Sequence, residues 1–169
     1  MTNPVSAYFT GEKRAGACLA VLGILLLGAA VLASDGRRAL AVTVGTLAVI
    51  EIGIGLGLFL RTGAQVHRLM AQLGSDPAAF TAAEDRRMTR VQHNFLVIKR
   101  AEIVGGAAAL LGVLALGRGT TLREIALGLL PHAVLLVGFD TIAERRGAVY
   151  LEAIRDGRAA GQILMCPTA

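Results

Sequence analysis

Residues 39–61 read ALAVTVGTLAVIEIGIGLGLFLR. Between Ala39 and Leu60 the one ionisable side chain is Glu51, and the run closes on Arg61. At 1.5 Å per residue, a helix of this length crosses the roughly 30 Å hydrocarbon core of a bilayer. A soluble domain of 169 residues builds one core without apolar runs this long. Three more runs of the same kind follow from the same test: about 15–34, 101–117 and 125–142. The third starts behind Lys99 and Arg100, whose apolar stems can snorkel toward the headgroups.

Composition agrees. Hydrophobic residues make up 54% of the chain, tryptophan is absent and the mean hydropathy is +0.63. Polar residues cluster in a few short stretches, as bilayer insertion demands. The expectation is therefore an all-α polytopic membrane protein. It is a four-transmembrane-helix up-down bundle forming a single membrane domain over residues 1–169.

The cations orient it. Thirteen Lys and Arg residues fall in the N-terminal segment, the stretch from Arg61 to Arg100 and the C-terminal segment (Arg145, Arg146, Arg155 and Arg158); four (Arg37, Arg38, Arg118 and Arg123) fall in the two short turns. The richer side is cytoplasmic by the positive-inside rule. An even number of spans then puts both termini in the cytoplasm, with the bacterial plasma (inner) membrane as the expected location. The first apolar run is too long for a signal-peptide core and more spans follow, so no cleavable signal is expected. The net charge of +5 serves topology and anchors anionic lipid headgroups; nucleic acid is not an expected partner.

Residues 61–100 are not a loop by pattern. Val66, Leu69, Met70 and Leu73 continue the helical spacing of the second span, and Met88, Val91 and Phe95 lead into the third. Gly74 and then Asp76-Pro77 mark a break and restart, and Thr81 with Glu84 fits a capping box. Cytoplasmic helical extensions of helices 2 and 3, projecting as a hairpin, are expected. Val149, Leu151 and Ile154 extend helix 4 in the same way. Lys13-Arg14-Ala15 recurs as Lys99-Arg100-Ala101, and Arg61-Thr62-Gly63-Ala64 as Arg145-Arg146-Gly147-Ala148. A tandem duplication of a two-helix hairpin would explain that spacing; so would the recurrence of basic and small residues at any membrane boundary.

Glu51 is the sharpest candidate for chemistry. A carboxylate at that depth costs about 2.5–3.5 kcal/mol on the insertion scale, so it must be neutral, paired or solvated. Ala48 and Gly55 share its stripe and imply close helix packing. It is either a proton carrier, ion ligand or substrate anchor, or a protonated acid joining two helices. His132 follows Pro131 at a similar depth, and a Glu–His pair in a bundle can relay a proton. Glu102, with Gly105, Gly106 and Ala109 on its face, and Asp140, near Glu144, complete a candidate intramembrane polar site; ion pairing at the headgroup boundary is the alternative for both. His67 and His93 make a weak metal case without a third ligand. Cys18 and Cys166 form no Cys-x-x-Cys, so no thiol–disulfide centre is suggested and no metal site is expected. No sequence feature names a cofactor.

The stretch Arg90-Val91-Gln92-His93-Asn94 resembles the Arg-x-Gln-x-Asn motif of the four-span membrane-associated enzymes of eicosanoid and glutathione metabolism. That motif continues to a glutamate where this chain has Val97, and it belongs to that family's second span, so membership does not follow. Arg90 and Asn94, with His67 and His93, remain candidates for an anionic ligand at the cytoplasmic mouth. No catalytic residue is assigned. Two functions are carried forward. The preferred one is an accessory or scaffold protein binding lipid or a protein partner through the 61–100 hairpin, with self-association through small faces at Gly53 and Gly57 or Gly16 and Ala20. The alternative is a small proton- or cation-coupled transporter or channel using Glu51 and His132; a membrane-embedded enzyme is a distant third.

Overall fold

The structure, a computed structural model, describes residues 4–157. Arg158 and Cys166 lie outside the described residues. The described chain is all-α, with four helices: α1 (Pro4–Leu32), α2 (Arg38–Ser75), α3 (Pro77–Ala115) and α4 (Thr121–Arg155). Helices α1, α2 and α4 are long and apolar enough to cross a membrane. In α3 the charges of Lys99, Arg100 and Glu102 crowd the start of the apolar half.

Each helix runs well past its apolar stretch. Helix α1 begins at Pro4, far ahead of Ala15, and ends at Leu32, so Ser34 belongs to the turn. Helices α2 and α3 are continuous through 61–100 except at Asp76. There the Asp76 carboxylate accepts a hydrogen bond from the Ala79 amide at 2.9 Å, and Pro77 takes a position whose amide would have no partner anyway. That cap forms one turn before the expected Thr81–Glu84 box. Thr81 therefore lies inside α3, its hydroxyl donating to the Pro77 carbonyl, and Glu84 is free for another role.

The helices pair as two antiparallel hairpins, α1 with α2 and α3 with α4. The first hairpin is held by backbone proximity. A Cβ placed on Gly55 would lie 2.6 Å from both the Gly16 carbonyl oxygen and the Ala20 amide nitrogen; one on Gly23 would lie 2.9 Å from the Ala48 carbonyl oxygen. The Gly16–Ala20 face is thus consumed within the chain. Gly53 and Gly57, by contrast, open on the outer side of α2 with nothing nearby. The hairpins meet along α2 and α4, where Gly128 admits the Thr43 side chain.

Two ends of the molecule pack by opposite rules. Through the apolar stretches the interior is made of small residues, including Ala20, Ala48, Gly55, Ala109, Ala126 and Gly128, while large side chains such as Leu32, Leu60, Val104, Leu114 and Val134 point outward and are exposed. That inversion suits a lipid solvent, which gives no reward for burying leucine but allows close approach of small residues. At the other end the large side chains turn inward. Val5, Phe9, Leu73, Phe80, Met88, Tyr150, Leu151 and Ile154 form one buried cluster, as burial from water demands. All four helices contribute to it. The 61–100 hairpin is therefore not a free projection; the first turns of α1 and the last turns of α4 close over it.

Glu84 sits inside this second core. It accepts hydrogen bonds from the Arg87 guanidinium at 2.6 and 2.8 Å and from the Tyr150 hydroxyl at 3.0 Å. Tyr8 stacks on Tyr150 with ring centroids 4.6 Å apart, and Arg87 lies over the Phe9 ring. Burial, reinforced by the charge of Glu12, pushes the Tyr8 phenol from 10.0 up to about 12. Burial raises Tyr150 as well, with the Glu84 carboxylate adding to it. For Arg87 burial pulls downward, but the hydrogen bonds and charge of Glu84 outweigh it and the guanidinium is held more firmly protonated.

Two outcomes follow for stability. Gly55→Ala is expected to cost about 1–3 kcal/mol in denaturant unfolding of the detergent-solubilised protein, because backbone must move; Gly53→Ala, two residues away on the open side, is expected to change it by less than about 0.5 kcal/mol. The second concerns base. Tyr8 and Tyr150 are the only tyrosines, so phenolate absorbance reports them alone. Both have folded values above 10.0, so the folded state keeps its protons: stability is intact below about pH 10 and falls as pH rises toward 12. The folded protein is expected to show no phenolate at about pH 10, where free tyrosine is half ionised.

Candidate functional site

Glu51 lies on the inner stripe of α2, between Ala48 and Gly55, and is 3% exposed. His132 lies on the inner stripe of α4 and is 2% exposed. The preceding Pro131 faces outward. The close approach of α2 and α4 at Thr43 and Gly128 brings the two side chains together: His132 Nδ1 is 2.6 Å from Glu51 Oε1. The similar depth expected of the two residues becomes a direct side-chain contact.

The pair is chemically incomplete. Glu51 Oε2 and His132 Nε2 are both buried with no hydrogen-bond partner among the described residues. Leaving such an atom unsatisfied costs on the order of 1–3 kcal/mol. The Oε1–Nδ1 contact is a buried carboxylate–imidazole hydrogen bond. It also ties the first hairpin to the second.

One helical turn along, between the four helices, lies a cavity of about 380 Å³. Ile54 and Leu136 bound its inner end, three residues beyond Glu51 and four beyond His132. Phe95, Phe139, Leu19 and Leu58 supply apolar wall. Glu102 and Asp140 both line it, so these two expected site residues are brought together, on facing helices α3 and α4. Glu102 Oε2 is buried without a partner among the described residues. Toward the other end the wall carries Tyr8, Glu12, Arg61, Arg87 and Arg146. Arg61 faces Glu12 at 3.6 Å, and Arg87 is engaged by Glu84. Lys99 is bridged to Glu144 across α3 and α4.

The second expected set lies at the surface. His67, Arg90, His93 and Asn94 are all exposed, and Arg90 hydrogen-bonds the Arg86 carbonyl of its own helix. Among the described residues no group of histidine, cysteine, aspartate and glutamate side chains could hold a metal ion. Several cavity and core residues escaped the sequence: Tyr8, Glu12, Glu84 and Arg146. Tyr8 and Glu12 precede the first apolar run, where nothing marks a helix, although their spacing of four is helical. Glu84 was read as a cap, yet its spacing of three from Arg87 is that of a helical ion pair.

Comparison of the chain with protein-family profiles, with curated proteins and with solved structures returned no match.

Proposed function

We propose that this is a four-span membrane protein that works as a small proton-linked carrier, with Glu51 and His132 as its proton-holding pair. One observation carries it: a buried carboxylate–imidazole pair with an unpartnered atom on each side chain among the described residues, one turn from the inner end of a cavity between the helices.

Several features support α3 as the fourth span. Leu96, Val97, Ile103, Val104, Leu110, Leu111 and Leu114 are all exposed, an outward surface that suits lipid. Of its three obstructing charges, Lys99 is bridged to Glu144 and Glu102 turns into the cavity, while Arg100 lies where its stem can snorkel. The excess of cations at the end holding the aromatic core supports, by the positive-inside rule, a cytoplasmic position for that end and both termini, in a plasma membrane. The cavity then faces the cytoplasmic leaflet, and the Glu51–His132 pair lies between it and the far side.

The accessory role, binding lipid or a protein through the 61–100 hairpin, keeps one favourable observation: Arg68, Arg86, Arg90 and Arg100 are exposed and suit anionic headgroups. The carrier is preferred because Leu73, Phe80 and Met88 of the hairpin are already packed against α1 and α4, whereas Glu51 Oε2, His132 Nε2 and Glu102 Oε2 have no partner among the described residues.

Proteoliposomes loaded with a pH-sensitive dye and given a potassium diffusion potential with valinomycin provide the test. Protein-dependent acidification is expected, and Glu51→Gln should slow it by about tenfold or more. Vesicles with the parent protein that stay as tight as empty ones, or a Glu51→Gln protein that conducts like the parent, would count against the carrier.

A further inference from the structure

The charges around the cavity divide by depth. At its aqueous end each cation has a counterpart or a packing role: Arg61 faces Glu12 at 3.6 Å, Arg87 is doubly hydrogen-bonded by Glu84, and Arg146 packs against Gly11. In the half that reaches into the apolar stretch the ionisable wall residues are Glu102 and Asp140. Lys99, three residues before Glu102 on α3, is bridged to Glu144. Glu102 Oε2 is closed off from solvent and has no donor within the described residues. So the inner half holds two acids, no cation of its own, and an acceptor in want of a donor or a positive charge.

The rest of that wall is apolar. Leu19, Ile54, Leu58, Phe95, Leu136 and Phe139 surround the acids. A volume of about 380 Å³ falls within the roughly 300–1,000 Å³ of small-molecule sites. An inorganic cation would leave most of this surface unused and would find two carboxylates where it needs about six oxygens. An anion would meet two acids and no unpaired cation in that half. A neutral apolar molecule would leave Glu102 Oε2 unsatisfied.

We propose that this cavity binds an amphipathic organic cation, with its positive centre beside Glu102 and Asp140 and its apolar body against Phe95, Phe139 and the neighbouring leucines. The aromatic faces add attraction for the cation beyond that of an aliphatic wall. This names the ligand class of the carrier described above and rests on it for physiological meaning, but binding is measured on the resting protein, without transport. A failure of flux and a failure of binding are therefore separate results.

The test compares two probe ions of the same shape and opposite charge, tetraphenylphosphonium and tetraphenylborate, by equilibrium dialysis against the full chain in detergent at neutral pH. Saturable binding of tetraphenylphosphonium is expected, with tetraphenylborate weaker by about tenfold or more. The double variant Glu102→Gln with Asp140→Asn should weaken tetraphenylphosphonium by about tenfold or more, and Ala143→Phe, which narrows the cavity without touching a charge, should weaken both ions. Equal or tighter binding of tetraphenylborate by the parent overturns the proposal and assigns the cavity to an anionic amphiphile such as a phospholipid. Unchanged tetraphenylphosphonium binding in the double variant overturns it too. If that variant fails to fold, the two ions on the parent protein decide.

Discussion

The hydrogen bond between Glu51 and His132 is the constraint around which the rest of the bundle is arranged. A lone carboxylate deep in an apolar helix costs several kilocalories per mole, and a lone histidine is little better off. Brought within 2.6 Å, each supplies what the other lacks. That contact requires α2 and α4 to approach closely, which Gly128 permits by leaving room for Thr43. It also requires α2 to be held at a fixed rotation, which the Gly16–Gly55 and Gly23–Ala48 backbone contacts with α1 achieve. Small residues on three helices thus serve one buried polar pair.

The chain meets two solvents and solves each separately. Where lipid is the surroundings, large aliphatic side chains face out, and cohesion comes from close backbone packing and a few polar contacts. Where water is the surroundings, Phe9, Phe80, Tyr150 and their neighbours turn inward around the satisfied Glu84–Arg87–Tyr150 network. The cavity sits at the join. Its outer wall borrows Tyr8, Glu12 and Arg87 from the aqueous core, and its inner wall borrows Ile54 and Leu136 from the apolar region. A site at such a join offers both a desolvated charge and an apolar surface, which neither region offers alone.

How much of this was legible in the sequence depends on the range of the interaction. Apolar runs and helical spacing are local, so the four helices, their continuation through 61–100 and the break at Asp76-Pro77 could be read directly. Span depth is also local, and it put Glu51 and His132 at one level. Their rotation into contact was not legible, because it depends on which small-residue face of α1 and α4 each helix chooses. The aqueous core escaped for a related reason. Tyr8 and Phe9 precede the first apolar run by only a few residues, and nothing near them announces a partner on α4. Glu84 satisfied a local capping pattern, but Asp76 with Pro77 made a better cap one turn earlier and released it to Tyr150. Arg90, His93 and Asn94 share one face of α3 at spacings of three and four, and His67 stands on α2; all four are exposed, and a short motif does not fix what covers such a face.

The most direct test of the buried pair as the link between the hairpins is a double-mutant cycle on unfolding free energy in detergent, with Glu51→Ala, His132→Ala and the double substitution. If the two side chains satisfy one another, each single change strands the other's polar group, and the double costs little more than either single; a coupling energy of about 1–3 kcal/mol is expected. Single costs that add to the double within about 0.5 kcal/mol would show that the two residues do not depend on each other, and would contradict the account.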